Sequence, residues 1–572
     1  MDAPDVSAVT LDGYYDLGSF SRPVTTTSAE AQAWFDLGLN WLYGFNHAEA
    51  IACFERALTA DPGCAMAHWG VAIGHGPNYN AAWDAMDPAT LARNLGAAHA
   101  ATEAAIALVD GVSAPEASLI RALPARYPQS SPIDPVDQMA WNLAFTDAMR
   151  GAADAHPDDL DVQATFVDAI LNETPWKMWD VASGEPAPKA KTLEARTVLE
   201  RLFATTADAW AHPGLLHQYV HLMEMSPHPE LALRHGDRLR ELLPDCGHLI
   251  HMPTHIDVLC GHYHDVVHWN TKAAEADAGW FDREGLFSVW TLYALHNLHF
   301  VVYGAMFAGQ YQAALAAAHE LKTRVPEEFL RVESPPFADS AEVFHAMDVH
   351  VMVRFGRWHD LIALDLPPDP DLWSATTAIV HYGKTLAHSA LGNIAEAEQH
   401  RELFLAAAER VPETRRMHNN TVVDLLAVAM PMIDGELEYR RGNHDVAFAH
   451  LRRAVEMQDG LAYDEPWGWM QPTRHALGAL LLEQGRIDEA EAVYRADLGL
   501  DDTLSRPTQH PNNLWSLFGL HECLLARGAT AEAVTVRHQL DLAAARADVP
   551  IAASCYCHQA ALATVTDGDC CD

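Results

Sequence analysis

A short turn centred on glycine recurs through the second half of this chain and constrains its fold more than any other feature. Each copy lies between stretches whose apolar residues return at helical spacing, and most copies place a large residue two positions after the glycine. Glycine directly after such a stretch is typical of a helix that ends and reverses direction. The pattern therefore predicts consecutive helical hairpins, with turns at Gly261, Gly309, Gly356, Gly392, Gly442, Gly485 and Gly528.

The most legible hairpin is near the start of the chain, in WFDLGLNWLYGFNHAEAIACFERALTADP. Phe35, Leu39 and Leu42 recur at helical spacing, Gly44 follows as a turn, and a second helical stretch ends before Pro62. Small residues allow the two helices to approach closely, and large residues fill the space behind them. This is the tetratricopeptide pattern.

Successive glycine turns lie 36 to 50 residues apart, whereas the standard tetratricopeptide repeat is about 34 residues long. The helices must therefore be longer, or the loops must carry insertions. We expect an all-α, tetratricopeptide-like array of helical hairpins, an α-solenoid, with irregular repeats wrapped around a His-rich pocket. About 24 to 28 helices and no sheet are expected.

The same pattern divides the chain into five segments. We expect a tetratricopeptide-like repeat over residues 1–80, divergent helical hairpins over 81–210, and His-rich repeats over 211–305. Further tetratricopeptide-like repeats follow over 306–550, and residues 551–572 form a tail that contains cysteine.

Charge and cysteine content restrict the partners and the compartment. The 78 acidic residues outnumber the 37 Lys and Arg, for a net charge of −41, which disfavours nucleic acid and anionic membranes as partners. No leader-like segment and no long apolar run is visible, so the expectation is a cytoplasmic protein. The nine cysteines lack a framework spacing, which is typical of reduced thiols.

Chemistry-bearing residues concentrate between residues 212 and 299, although the chain contains 33 His altogether. In HPGLLHQYVHLME, His217, His221 and Glu224 stand at i, i+4 and i+7, within about 60° of one face of a helix. Residue 218 is Gln, so the motif is not the HExxH of zinc proteases. Glu224 could be a metal ligand, a partner that orients an imidazole, a general base, or a solvated carboxylate.

A second group, GHLIHMPTHIDVLCGHYH, places His248, His251 and His255 at i, i+3 and i+7. Pro253 interrupts this stretch, so either a helix begins there or the helix is kinked. Beyond Gly261, residues His262, His264 and His268 are expected at the surface.

The third group, LHNLHF, places His296 and His299 one turn apart. Several neutral imidazoles buried together would leave acceptors unpaired, so the three groups predict a bound transition metal. We expect the ion to be held by His217, His221, His248, His251 and His255, with Glu224, His296 and His299 as catalytic residues. Imidazole donors suit Cu, Fe or Zn, and the number of imidazoles allows two ions.

Two functions of different class follow. The main hypothesis is a metal-dependent enzyme that oxidises or hydrolyses a small-molecule substrate, with oxidation preferred. The alternative is a protein–protein interaction scaffold whose groove binds a protein partner and whose His cluster is structural or incidental.

The three His groups also resemble the shared motifs HxxxHxxE, GHxxHMPxHI and HNxHF of a widespread family of microbial tetratricopeptide-repeat proteins of obscure function. The likeness extends to WGVAIGHGPNYN, to TRHALGALLLEQGRIDEAEAVYRADL, to NNLWSLFGLHECLL and to Ser554-Cys555, and so covers most of the chain. It implies the same fold and the same eight site residues, whereas His262 and His264 look like additions of this chain. The resemblance implies no particular substrate.

Overall fold

Helices make up most of this protein. A computed structural model describes residues 10–558, apart from the side chains of residues 135–137. In that part of the chain the α-helices are α1 (Ala29–Tyr43), α2 (His47–Ala60), α3 (Ala65–Gly74), α4 (Pro88–Leu108), α5 (Ala114–Arg126), α6 (Pro135–Ala155), α7 (Leu160–Leu171), α8 (Thr192–Thr205), α9 (Pro213–Met223), α10 (Leu233–Leu239), α11 (Gly247–His251), α12 (Pro253–Leu259), α13 (Tyr263–Glu284), α14 (Trp290–Phe307), α15 (Tyr311–Arg324), α16 (Glu327–Leu330), α17 (Ala338–Ala341), α18 (Met347–Arg354), α19 (Trp358–Ala363), α20 (Ser374–Ala390), α21 (Ile394–Ala408), α22 (Val422–Arg440), α23 (His444–Asp459), α24 (Thr473–Glu483), α25 (Ile487–Leu498), α26 (Leu514–Ala526) and α27 (Thr530–Ala544).

Short 3-10 turns and one pair of strands complete the secondary structure of the described residues. The turns are Trp83–Ala85, Val109–Gly111, Ala207–Ala211, Pro229–Ala232, Glu342–Ala346 and Arg506–Thr508. Strand β1 (Arg416–Met417) pairs antiparallel with β2 (Asn420–Thr421). The prediction of an all-α array is therefore confirmed, and the strands add only one tight hairpin that the sequence pattern does not reveal.

The first hairpin illustrates how local sequence sets the packing. Ser28 caps α1 by accepting a hydrogen bond from the backbone N–H of Ala31 at 3.2 Å. A Cβ atom at Gly38 of α1 would lie 2.7 Å from the Phe54 ring of α2, so the two helices cross where only glycine fits. This small-against-large contact is the packing that the tetratricopeptide pattern predicts.

The predicted glycine turns adopt the backbone conformation for which glycine is suited. All seven, from Gly261 to Gly528, have φ between 65° and 80°, where a Cβ atom is strained. The turn after α1 differs, because the left-handed residue there is Phe45 (φ 60°) and Gly44 is not left-handed. Gly44 is instead required by a close approach, since a Cβ atom would lie 2.5 Å from the Cys246 sulfur.

The chain forms two compact units. Within the described residues, the first contains 10–256 and 275–284, and the second contains 257–274 and 285–558. Each has its own buried aromatic residues, including Trp41 and Trp83 in the first unit and Tyr494 and Trp515 in the second. Over residues 10–558, no helix combines the length and the apolar content needed to cross a bilayer.

Candidate metal centre

Helix α9 carries the first His pair of the first unit. Its N-terminus is fixed by Pro213 and by His212, whose Nδ1 accepts a hydrogen bond from the backbone N–H of Leu215 at 3.2 Å. One helical turn separates His217 from His221, so both point from the same face, and each is only 1% exposed. Burial of this degree requires that every ring nitrogen be accounted for.

The protonation pattern of His217 follows from its one hydrogen bond. Its Nδ1 lies 2.7 Å from the carbonyl oxygen of Tyr43. Because a carbonyl oxygen can only accept, Nδ1 carries the hydrogen and Nε2 carries a lone pair. That Nε2 atom is buried and has no hydrogen-bond partner in the described part of the chain.

Glu224 imposes the same tautomer on two further imidazoles. One carboxylate oxygen accepts from Nδ1 of His221 and the other from Nδ1 of His255, both at 3.0 Å. Nε2 of His221 is therefore a second buried lone pair, and it also lacks a hydrogen-bond partner among the described residues. Of the four roles considered for Glu224, this geometry matches the partner that orients imidazoles.

His248 completes the first group of imidazoles. Ring nitrogens of His217, His221 and His248 lie within 4.8 Å of one another, and all three side chains are buried. Burial and then the neighbouring imidazoles hold the pKa of His217, His221 and His248 well below the usual value, so the rings are neutral. Three neutral imidazoles that converge in this way are a suitable donor set for a transition-metal ion.

His251 and His255 form a second pair beside Glu224. Their Nε2 atoms are 2.8 Å apart. Because Nδ1 of His255 donates to Glu224, its Nε2 carries a lone pair, and either a proton on His251 or a cation shared by both nitrogens satisfies the contact. Pro253 separates the two rings: α11 ends at His251 and α12 begins at the proline. Of the two alternatives for Pro253, a helix therefore begins there, and His248 and His251 lie on the short helix before it.

Aromatic side chains enclose the group. The ring centroid of Phe45 lies 4.4 Å from that of His217 and 5.6 Å from that of His248, and Tyr79 lies 4.5 Å from His221. Tyr79 belongs to WGVAIGHGPNYN, a segment that shares the family resemblance of the three His motifs. Sequence reasoning missed Phe45, and its position directly after a turn glycine is the only local signal.

A cleft of about 470 Å³, counting its open mouth, borders His217. Asp168 lies on its wall, where burial raises the pKa of the carboxyl group to about 6, although Arg126 and Asn172 oppose the shift. A carboxyl group with this pKa can exchange protons near neutral pH. The cleft is lined by Leu42, Tyr43, Phe45, His47, Trp69, Ile73, Pro77, Asn78, Ala164, Thr165, Asp168, Gly214, His217 and Gln218.

The other predicted site residues belong to the second unit. His296 and His299 lie on α14, with ring centroids 6.4 Å apart. Beyond Gly261, His262 and His268 are exposed and His264 is half-buried. The cysteines Cys570 and Cys571 of the C-terminal tail lie outside the described residues.

Comparison with known proteins supports the repeat. Residues 31–64 match the profile of the tetratricopeptide repeat, and this range contains most of α1 and all of α2. No curated protein matches the chain. The family with the three His motifs is therefore not identified by these comparisons, although a tetratricopeptide repeat is.

Solved structures that match the chain include the crystal structure of the APC/C hetero-tetramer Cut9-Hcn1, at 12% identity and a TM-score of 0.28, over 90% of this chain and 94% of that chain. Naa15/Naa10 bound to HypK-THB matches at 13% identity and a TM-score of 0.22, over 94% and 74%. Yeast Tom70 matches at 11% identity and a TM-score of 0.28, over 88% and 96%. Since these TM-scores are low, the fold is assigned from the helices, the turns and the matched repeat: an all-α, tetratricopeptide-like array.

Proposed function

We propose that this chain is a tetratricopeptide-like scaffold that binds a protein partner and is held together in its first unit by a buried transition-metal ion. We infer the metal from two buried imidazole lone pairs that have no hydrogen-bond partner among the described residues. Nε2 of His217 and Nε2 of His221 are buried without a hydrogen-bond partner, while the Nδ1 atom of each ring is fixed by an acceptor.

A bound ion would lower the free energy of the buried His group, which an incidental cluster would not. A buried polar atom without a partner costs about 1–3 kcal/mol, so two such atoms would be expensive in a marginally stable fold. A metal ion bound by His217, His221 and His248 uses both lone pairs and replaces that cost with three coordinate bonds. Imidazole donors favour zinc, copper, iron or nickel over magnesium or calcium.

A structural role for the ion agrees with the burial of its ligands. Exposure of 1% at His217, His221 and His248 leaves the ion away from bulk solvent, as in metal sites that stabilise a fold. Helical-repeat arrays present extended surfaces to other proteins. The net charge of −41 favours a partner segment that contains basic residues.

A metalloenzyme that oxidises or hydrolyses a small molecule is the second candidate. The cleft of about 470 Å³ favours it, because His217 and Asp168 line the same wall and the Asp168 carboxyl has a pKa of about 6. An ion at His217 would require an open coordination position towards this cleft. Glu224 would then orient His221 and His255 rather than act as the base.

Metal analysis of the untagged protein tests the shared part of both candidates. After metal-replete growth we expect about one ion per chain in the first unit, and a sharp loss of that ion in His217→Ala and in His221→Ala. His235→Ala is the matched control, since it removes an imidazole that is also buried in the first unit but lies outside the cluster. His262→Ala and His264→Ala should also retain the ion. Wild type without metal, or equal content in all five variants, would exclude a metal role.

Cobalt substitution separates the two candidates. Visible absorption of Co²⁺ responds when azide enters the coordination shell, which requires an open position that solvent can reach. The scaffold proposal predicts a spectrum that azide leaves unchanged and a large fall in the thermal midpoint on metal removal. An azide-induced change, lost when the cleft is blocked by Thr165→Trp, would support the metalloenzyme instead.

A further inference from the structure

We propose that the second unit contains a separate binding site for a soft, monovalent metal ion of the Cu(I) class, formed by His296, His299, His418 and Met470. The site does not depend on the proposed function of the first unit. The proposal rests on the convergence of three imidazoles and one thioether. Sequence patterns indicated only His296 and His299.

The contact between His299 and Met470 is the central observation. Nε2 of His299 lies 2.8 Å from the Met470 sulfur, and both side chains are buried. A thioether is only a weak hydrogen-bond acceptor, so a hydrogen bond explains little of so close an approach. Imidazole nitrogen and thioether sulfur are, by contrast, both donors for soft metal ions. Nδ1 of His299 has no hydrogen-bond partner among the described residues.

Two more imidazoles reach the same place. Ring nitrogens of His296, His299 and His418 lie within 4.8 Å of one another. The centroid of the His418 ring is 4.6 Å from that of His296 and 5.9 Å from that of His299. Three nitrogen donors and one sulfur donor give four ligands, which suits a tetrahedral ion.

His418 is held in position by its backbone. It lies in the turn between β1 and β2 with φ of 47°, in the left-handed region. The buried carboxylate of Asp464 accepts hydrogen bonds from the backbone N–H of Asn419 at 2.8 Å and from the Asn420 amide at 2.5 Å. These hydrogen bonds fix the turn through the two residues that follow His418. The His418 side chain itself is exposed, so an ion can enter the site from solvent.

The donor set selects the ion. Thioether ligands favour Cu(I) over harder divalent ions. Imidazole and thioether ligands add no negative charge, so a bound ion keeps its full charge in a partly buried site. A monovalent ion carries a smaller desolvation penalty there than a divalent ion, and this again favours Cu(I) over zinc.

Anaerobic titration of the full chain with Cu(I), against a chromophoric Cu(I) chelator, tests the site. We expect Met470→Leu and His418→Ala each to bind one Cu(I) fewer than wild type, or to bind it at least tenfold more weakly. X-ray absorption of the wild type should contain a copper–sulfur contribution that Met470→Leu lacks. Met→Leu conserves volume, and circular dichroism with the thermal midpoint verifies that each variant folds.

Controls keep this site distinct from the first unit. Met352→Leu changes another buried methionine of the second unit and His359→Ala an exposed imidazole, and both should bind Cu(I) like wild type. His217→Ala should also retain this ion, so loss of the first-unit metal leaves the result interpretable. Unchanged Cu(I) binding in either Met470→Leu or His418→Ala overturns the four-donor site.

Discussion

Buried imidazoles converge in both units, but around different centres. In the second unit, His475 and His510 meet the carboxylate of Asp497, with Nε2 of His475 at 3.0 Å and Nδ1 of His510 at 2.8 Å. In the first unit, the Glu224 carboxylate accepts from Nδ1 of His221, and the Nε2 lone pairs of His217 and His221 have no hydrogen-bond donor among the described residues. In the second unit, one such atom, Nε2 of His510, also lacks a partner, but both nitrogens of His475 are hydrogen-bonded. The two unpartnered atoms of the first unit, by contrast, belong to rings that converge with His248.

Further donors reach His475 and Asp497. Arg354 donates to Nδ1 of His475 at 2.8 Å, and Asn513 and Ser516 donate to Asp497 at 2.9 and 2.6 Å. Hydrogen bonds and both imidazoles hold the pKa of the Asp497 carboxyl well below its usual value, against the effect of burial. The candidate metal site is therefore distinguished by three converging imidazoles, two of which have unpartnered Nε2 atoms, and not by the number of buried His residues.

The largest expected effect comes from removing the carboxylate that these donors share. Asp497→Ala leaves two imidazoles and the side chains of Asn513 and Ser516 without their acceptor, and should lower the free energy of unfolding of the second unit by about 3–5 kcal/mol. Urea unfolding measures the loss. Asp502→Ala, which removes an exposed carboxylate five residues away, should change stability little. Metal content should match wild type in both variants, and a loss of metal in Asp497→Ala would contradict the distinction between the two clusters.

A smaller test removes one donor of the same network. Ser516→Ala deletes the 2.6 Å hydrogen bond to Asp497 and should cost about 1.5–3 kcal/mol, because the acceptor is charged. Urea unfolding again provides the measurement. Ser340→Ala, at an exposed serine of the same unit, is the control. Equal stability of the two variants would mean that the network tolerates an open position, as the first-unit group does.

Sequence patterns predicted the fold in some detail. The seven predicted turn glycines are all left-handed, because helix reversal and glycine are tied by local sterics that a single sequence displays. Gly44 shows the limit of that argument, since its neighbour Phe45 adopts the left-handed conformation and Gly44 is fixed by a contact with Cys246. A contact across 202 residues leaves no local pattern.

The candidate sites were predictable in part for the same reason. Helical spacing predicted that His217, His221 and Glu224 lie close together; α9 carries the two His, and Glu224, at its C-cap, is hydrogen-bonded to His221. The acceptor that fixes the His217 tautomer is the backbone carbonyl of Tyr43. Every residue has such a carbonyl, so the sequence does not indicate which one is used. Met470 is separated from His299 by 171 residues. The roles of Tyr43 and Met470 can therefore be recognised only in the folded structure.

Glu224→Gln tests the orientation of the first-unit donors without removing any imidazole. An amide can accept from one Nδ1 but presents N–H groups to the other, so one ring loses its fixed tautomer. Metal affinity should fall about 10- to 100-fold, as for other residues that orient metal ligands. Competition with a chromophoric chelator measures it. Glu200→Gln, at a half-exposed carboxylate of the same unit, should bind metal like wild type; equal affinities would show that Glu224 does not orient the ligands.

The smallest expected effect concerns His235, a third kind of buried imidazole. Among the described residues its ring packs against aromatic side chains and not against a carboxylate or other imidazoles. Its ring packs against Tyr219, Trp210 and Phe203, with centroids 4.1 to 4.6 Å away. Burial in this aromatic surround lowers the pKa of His235 to about 4. The ring is therefore neutral in the folded chain under conditions in which the unfolded chain binds a proton.

Because the folded-state pKa is lower than the unfolded value of about 6.5, the stabilising contribution is complete above pH 6.5 and is lost as pH falls towards 4. His235→Gln should remove up to ~1.4 kcal/mol per pH unit from the slope of unfolding free energy over that interval. Urea unfolding of metal-free protein between pH 4 and 7 measures the slope. His228→Gln, at an exposed imidazole of the same unit, should leave it unchanged. If both variants keep the wild-type slope, the acid sensitivity of the first unit arises elsewhere, and burial alone does not distinguish this imidazole from one at the surface.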